Sequence, residues 1–276
     1  MRIRPLVVSV LSVSVGALTM LGTVPAQAGA SGQMPHSKGG RGGTTTPSPL
    51  VYHQGKLLTA STTYAIWWGP TAGFPGDART GIEQLLGGFG GSNYLGIAGQ
   101  YMPSHSATSR FAQSLADPSA PPSRSPSVTT IVNEVAKVLS ANNIAPDANA
   151  IYLVYTSNFP RVTFCAWHSA GAIQGTTVQV GYMPNTAGVA GCDPGNLYNA
   201  NSYSEGTRSV ADSTAHEFME ATTDPVPLTG WADKNGQEIG DKCNFVYSAT
   251  VTLANKSQWQ LQEEWSNAAG GCTQGS

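Results

Sequence analysis

Charge is what this sequence lacks most. Asp, Glu, Lys and Arg make up 11% of the 276 residues, against about 25% in an ordinary globular domain. The net charge is −2 and no basic run stands out, which excludes a phosphate-reading surface and with it nucleic-acid binding driven by charge. Beyond the N-terminus no apolar stretch approaches the roughly 20 residues that a membrane-spanning helix needs. The four cysteines contain no C-x2-C pair, so zinc held by thiolates is disfavoured. Ser169-Ala170-Gly171 lacks the G-x-S-x-G frame of a nucleophile elbow. The remaining composition, 40% hydrophobic with 6 Trp and 10 Tyr, is ample for a core.

The N-terminus reads as a secretory signal. Arg2 and Arg4 precede an apolar run from Leu6 to Leu21, and Ala26-Gln27-Ala28 supplies a small-residue cleavage site. Cleavage after Ala28 implies a secreted, extracellular protein with no stable membrane anchor thereafter. Residues 29–49 are rich in Gly, Ser, Thr and Pro and are expected to form a flexible leader. Residues 50–276 are then expected to form a single domain.

Cys165, Cys192, Cys243 and Cys272 all lie past the leader. An even count in an oxidising compartment points to two disulfides. Three pairings are possible, and the two sequence-local bonds, Cys165–Cys192 and Cys243–Cys272, are favoured.

Periodicity predicts an α+β domain with a central sheet and a β-rich C-terminal part. Residues 64–68 and 150–156 are short apolar runs of the buried-strand type, and 176–183 form another strand. A helix is expected over 77–86 with Asp77 as N-cap. The clearest helix starts after Ser127, where Val128, Ile131, Val132, Val135, Val138 and Leu139 make one apolar face. A second long helix is expected from about Ser204 to Thr223. Residues 245–253 and 259–265 alternate and suggest a hairpin across Asn255-Lys256.

The chemistry concentrates on that second long helix. His216 and Glu220 are four apart, which puts them on one face with Cβ atoms about 5–6 Å apart, a spacing suited to two metal ligands. Glu217 lies beside them, offset by about 100°, placed to accept a proton without ligating. This H-E-x-x-E follows the logic of H-E-x-x-H zinc hydrolases with the second His replaced by a carboxylate. Glu238 and Asp224 compete as third ligand. Glu238 is favoured because Pro225 draws Asp224 out of helical geometry, and because thermolysin-like enzymes take a Glu from a similar distance downstream. Asp241 fits a supporting partner of a ligating His. Six of the 16 acidic residues fall between Glu217 and Asp241, a density that favours zinc, with calcium as the alternative. His168 is a further candidate supporting group, against the plainer reading of an exposed loop histidine.

Ala215–Pro225, Gly230–Asp233, Glu238–Cys243 and Trp265–Asn267 up to Cys272, together with Phe164–His168, resemble the secreted phosphate-induced, EXORDIUM-like family and its bacterial relatives. The likeness covers about residues 60–272. The H-E-x-x-E helix and the resemblance together leave two functions open. One is a secreted metal-dependent hydrolase, a zinc peptidase acting on a peptide or cell-wall substrate. The other is a non-catalytic wall-associated or signalling protein. The order of elements is also similar to that of zincins.

Overall fold

A computed structural model describes residues 32–33, 48–198 and 200–275. The signal-like segment 1–28 and most of the 29–49 leader lie outside the described residues. The elements run β1 (Val51–Tyr52), β2 (Ala60–Trp68), α1 (Ala78–Phe89), α2 (Asn93–Gly99), β3 (Thr108–Asp117), α3 (Val128–Ala141), β4 (Ala150–Thr156), β5 (Trp167–Ile173), β6 (Thr176–Pro184) and α4 (Glu205–Thr223). Short strands follow: β7 (Trp231–Ala232), β8 (Val251–Thr252), β9 (Gln258–Trp259), β10 (Glu264–Ser266) and β11 (Gly271–Thr273). The protein is α+β, as its periodicity predicts.

The main sheet has five strands in the order β3-β2-β4-β6-β5. Strands β3, β2, β4 and β6 are parallel, and β5 joins β6 antiparallel at the edge. Both faces are covered. Along β4, Ile151, Leu153 and Tyr155 enter the core shared with α1, α2 and α4, whereas Ala150, Tyr152 and Val154 enter the core under α3. Alternate side chains point to opposite faces, so a strand buried on both faces reads as an unbroken apolar run. On the α1/α4 side, Phe89 stacks on Phe218 with centroids 4.4 Å apart.

Ser127 caps α3 by accepting from the Thr130 amide, and Ser204 caps α4 by accepting from the Thr207 amide. Asp77 does precede α1, but its side chain makes no cap bond there. Its carboxylate instead accepts from the Ser204 amide and from the hydroxyls of Ser204 and Thr207. It therefore pins the start of α4 to α1 and favours the anion at the positive helix terminus.

Two elements depart from the sequence expectation. The tail hairpin is only two residues deep, Val251 opposite Trp259 and Thr252 opposite Gln258. Beyond it the chain turns inward, where the Gln262 amide donates to Asp212 Oδ1 at 2.7 Å, and Glu264–Ser266 pairs with Gly271–Thr273 instead. Strand β5 also arises from residues without a strand signature, Ala170-Gly171-Ala172 being too small to show alternation.

The disulfides are Cys165–Cys192 and Cys243–Cys272, the sequence-local pairing. Such bonds belong to oxidising compartments. Among the described residues no helix is long and apolar enough to cross a membrane. The second bond fastens the segment after Glu238 to β11. Replacing Cys243 and Cys272 together by Ser is expected to lower unfolding free energy by about 3 kcal/mol, measured by urea denaturation. An unchanged midpoint would show that β10–β11 holds the tail without it.

Candidate metal centre

Helix α4 is unusual in being polar and buried together. From Ser209 to Thr223 every residue is buried, including Asp212, His216, Glu217 and Glu220. Burial of hydroxyls and ions without partners is costly. Three hydroxyls bond back to the preceding turn, Thr214 donating to Val210 O, Thr222 to Phe218 O and Thr223 to Met219 O; Ser209 pairs with Thr186 at 2.9 Å, and Ser213 Oγ has no partner. The ionisable groups converge with others from three further segments.

His216 is fixed from behind. Its Nδ1 lies 3.1 Å from Gln262 Oε1, and the Gln262 amide nitrogen donates to Gly240 O at 3.2 Å. That orientation makes Gln262 Oε1 the acceptor and His216 Nδ1 the donor, so Nε2 is the nitrogen presented forward. It faces Glu220 Oε1 at 3.1 Å and Asp241 Oδ1 at 3.8 Å. Gly240 lies flat against the ring, where a Cβ would stand 2.9 Å from Nδ1.

His168 shows the same arrangement from the opposite side. It is fully buried on β5 rather than exposed in a loop. Its Nε2 lies 3.1 Å from the Asp224 carbonyl, which leaves Nδ1 facing Glu217 Oε2 at 3.2 Å and Glu220 Oε2 at 3.4 Å. Glu220 thus receives one imidazole at each oxygen. Its Oε1 also accepts from the Asp241 amide at 3.0 Å.

Two sets of three residues bring one ligand atom each within 4.8 Å of one another: His216, Glu220 and Asp241, and His168, Glu217 and Glu220. Glu238 belongs to neither set. It is buried, its Oε1 lies 3.4 Å from His168 Nε2, and neither of its oxygens has a hydrogen-bond partner. Asp224 is placed otherwise. Its carboxylate accepts from the amides of Leu228, Thr229 and Gly230 at 2.6, 3.1 and 2.6 Å, which folds the loop after α4. Three amide dipoles compensate it.

The sequence gives no signal for three supporting groups. Gln262 orients His216, Asp212 accepts from Gln262 N and from Tyr247 Oη at 2.6 Å, and Glu264 accepts from Tyr94 Oη at 2.7 Å. Asp212 lies on α4, and Gln262 and Glu264 lie in the tail, where no motif or spacing marks them.

The electrostatics are those of a site crowded with anions. Burial penalises the imidazolium of His216, yet the Glu220 charge and contact overcome it and raise its pKa well above normal. His168 is raised likewise, against burial, by Glu238, Glu217 and Glu220. Burial pushes Glu217 and Glu238 up, and lifts Asp241 to about 7. Glu220 alone falls, to about 2, because both histidines outweigh its burial.

The chain matches no protein-family model, no curated protein and no solved structure. The resemblance to the EXORDIUM-like proteins therefore rests on the motifs themselves.

These shifts set a pH dependence. A histidine raised in the fold stabilises below its unfolded pKa and loses that contribution as pH rises through the folded value; a carboxyl raised in the fold behaves the same way. Metal-free protein, after dialysis against a chelator, should therefore melt at lower temperature as pH rises from about 5 to about 8. Added zinc should reverse that fall. A melting temperature that rises over this range, read by calorimetry, would contradict the arrangement.

Proposed function

We propose that the protein is a secreted metal-dependent hydrolase of the EXORDIUM-like kind, acting on a peptide or peptide-like cell-wall substrate, with zinc held by His216, Glu220 and Asp241. The observation that carries this reading is the forward-facing pair. His216 Nε2 is fully buried, makes no hydrogen bond of good geometry, and faces Glu220 Oε1 at 3.1 Å. A neutral imidazole lone pair beside a carboxylate oxygen is unfavourable unless a proton or a cation lies between them. Donors around tetrahedral zinc sit about 3.3 Å apart for bonds of 2.0–2.1 Å. The 3.1 and 3.8 Å separations at His216 Nε2 bracket that spacing. Asp241 thus takes the place that sequence spacing gave to Glu238, while Glu238 is oriented towards His168.

Bound zinc would supply Lewis-acid polarisation of a substrate carbonyl and of water, weakened by the two carboxylates that neutralise its charge. The chain's own residues do the rest. Gln262 holds His216 in the ligating tautomer. Glu217, with a pKa raised by burial, would take a proton from water and hand it on to a leaving amine once its Oε1, which accepts from the Gln33 amide, is free. His168, as the imidazolium its raised pKa favours, donates from Nε2 to the Asp224 carbonyl and from Nδ1 to the Glu217 carboxylate, which it positions.

One observation favours a second reading. His168, His216, Glu217, Glu220 and Glu238 have no exposed surface, as suits a structural ion in a non-catalytic wall-associated protein. Elemental analysis with activity assays separates the two. Wild type and Glu217→Gln should each carry about one zinc, and His216→Ala none. Glu217→Gln should lose at least about 10²-fold in peptide hydrolysis. Glu238→Gln should retain zinc, and Asp241→Asn should lose affinity about 10–100-fold or more. Zinc that survives His216→Ala would overturn the ligand assignment, as would absence of metal throughout. Zinc with no hydrolysis in any variant would support the structural reading.

A further inference from the structure

Part of what closes the site is the chain's own N-terminal segment. Gln33 comes from a Gly/Ser/Thr/Pro-rich stretch with no apolar face to pack, yet it is fully buried. Its backbone is held from both sides. The Gln33 amide donates to Glu217 Oε1 at 2.9 Å, and its carbonyl accepts from the Cys165 amide at 2.7 Å. The side-chain Nε2 lies 3.5 Å from Gln262 Oε1, the atom that orients His216, and Gln33 Oε1 has no partner.

Gly32 passes so close to the main chain that a Cβ there would stand 2.3 Å from Ala166 O and 2.4 Å from Trp167 Cα. Contacts at that range displace backbone, which a flexible side chain cannot relieve. These contacts fall on Cys165–Trp167, where the chain enters β5, an edge strand of the main sheet. Recognition through main-chain amides and carbonyls at a sheet edge is how proteins hold peptide backbones whatever their side chains.

We propose that the groove between Cys165–Trp167 and Glu217 is a peptide-binding site, and that Gly32–Gln33 is its built-in blocking ligand, which must leave before another peptide can enter. The blocking segment and the groove stand on the hydrogen bonds above. That blocking also suppresses catalysis rests on the proposed function, because Glu217 Oε1 is then occupied by the Gln33 amide. Access would be gained by displacing the segment or cutting the leader, which makes the closed site a latent one. The ligand class is a peptide that presents a glycine followed by a residue with a free main-chain amide and carbonyl.

The test uses the full-length protein with Gly32→Val, and a fluorescent synthetic peptide of residues 29–36 as probe. In wild type the tethered segment competes at an effective concentration of order millimolar, so the probe should bind weakly. In Gly32→Val, whose side chain cannot fit, it should bind at least about tenfold more tightly by fluorescence anisotropy. Gln33→Ala keeps both main-chain bonds and should behave like wild type. Equal binding to wild type and Gly32→Val, or none to either, overturns the proposal. Should Gly32→Val fail to fold, amide exchange in wild type decides. The Cys165 and Gln33 amides should exchange at least about a hundredfold more slowly than exposed ones, and unprotected exchange overturns it. Probe binding without hydrolysis leaves this inference standing and removes the peptidase reading; hydrolysis with unchanged probe binding does the reverse.

Discussion

Everything near the site depends on one constraint, the burial of an ionisable helix. Helix α4 runs between the sheet and the C-terminal part with its polar residues inside. A buried charge without compensation costs several kcal/mol. The fold meets that cost in layers. Hydroxyls bond back to the preceding turn, Asp212 is used by Gln262 and Tyr247, and Asp77 anchors the helix start. What remains is a knot of two histidines and four carboxylates in which His216 Nε2, Glu220 Oε2 and both oxygens of Glu238 have no hydrogen-bond partner. A divalent cation is the simplest compensation for such a remainder.

The irregular C-terminal part makes sense as scaffolding for that knot. The chain after α4 folds around the Asp224 carboxylate and returns along β7. It then brings Gly240 against the His216 ring and the Asp241 amide onto Glu220. The Cys243–Cys272 bond holds this segment beside β10–β11, and Lys242 bridges Asp233 at 3.3 Å while lying over the Trp265 ring at 4.2 Å. Short strands suffice because the staples and the buried polar bonds set the path.

The long-period elements were legible in the sequence. Helices α3 and α4 carry their caps and spacing openly, and β4 and the second half of β2 appear as apolar runs because both faces of the sheet are covered. Strand β3 did not, since its edge position leaves Thr108–Asp117 largely polar and partly exposed. At the site, the helical pair His216 and Glu220 could be read from spacing alone. Where Glu238, Asp224 and Asp241 lie relative to that pair could not, because the positions are set by loops, the first of them folded by Asp224 accepting three amides. His168 was legible as a candidate but not as a buried one, for a related reason: what brings it to Glu217 and Glu220 is the antiparallel addition of β5 to the sheet edge. Gln33 was hidden most completely, since leader composition predicts no packing at all.

The central claim is that a cation occupies the space between His216 and Glu220. Anomalous X-ray scattering at the zinc edge, from crystals grown with equimolar zinc, tests it most directly. The expected result is one peak about 2.0–2.2 Å from His216 Nε2, a Glu220 oxygen and an Asp241 oxygen. The contrary result is no peak inside the protein, with His216 still aimed at Glu220. The knot would then be neutralised by protons alone.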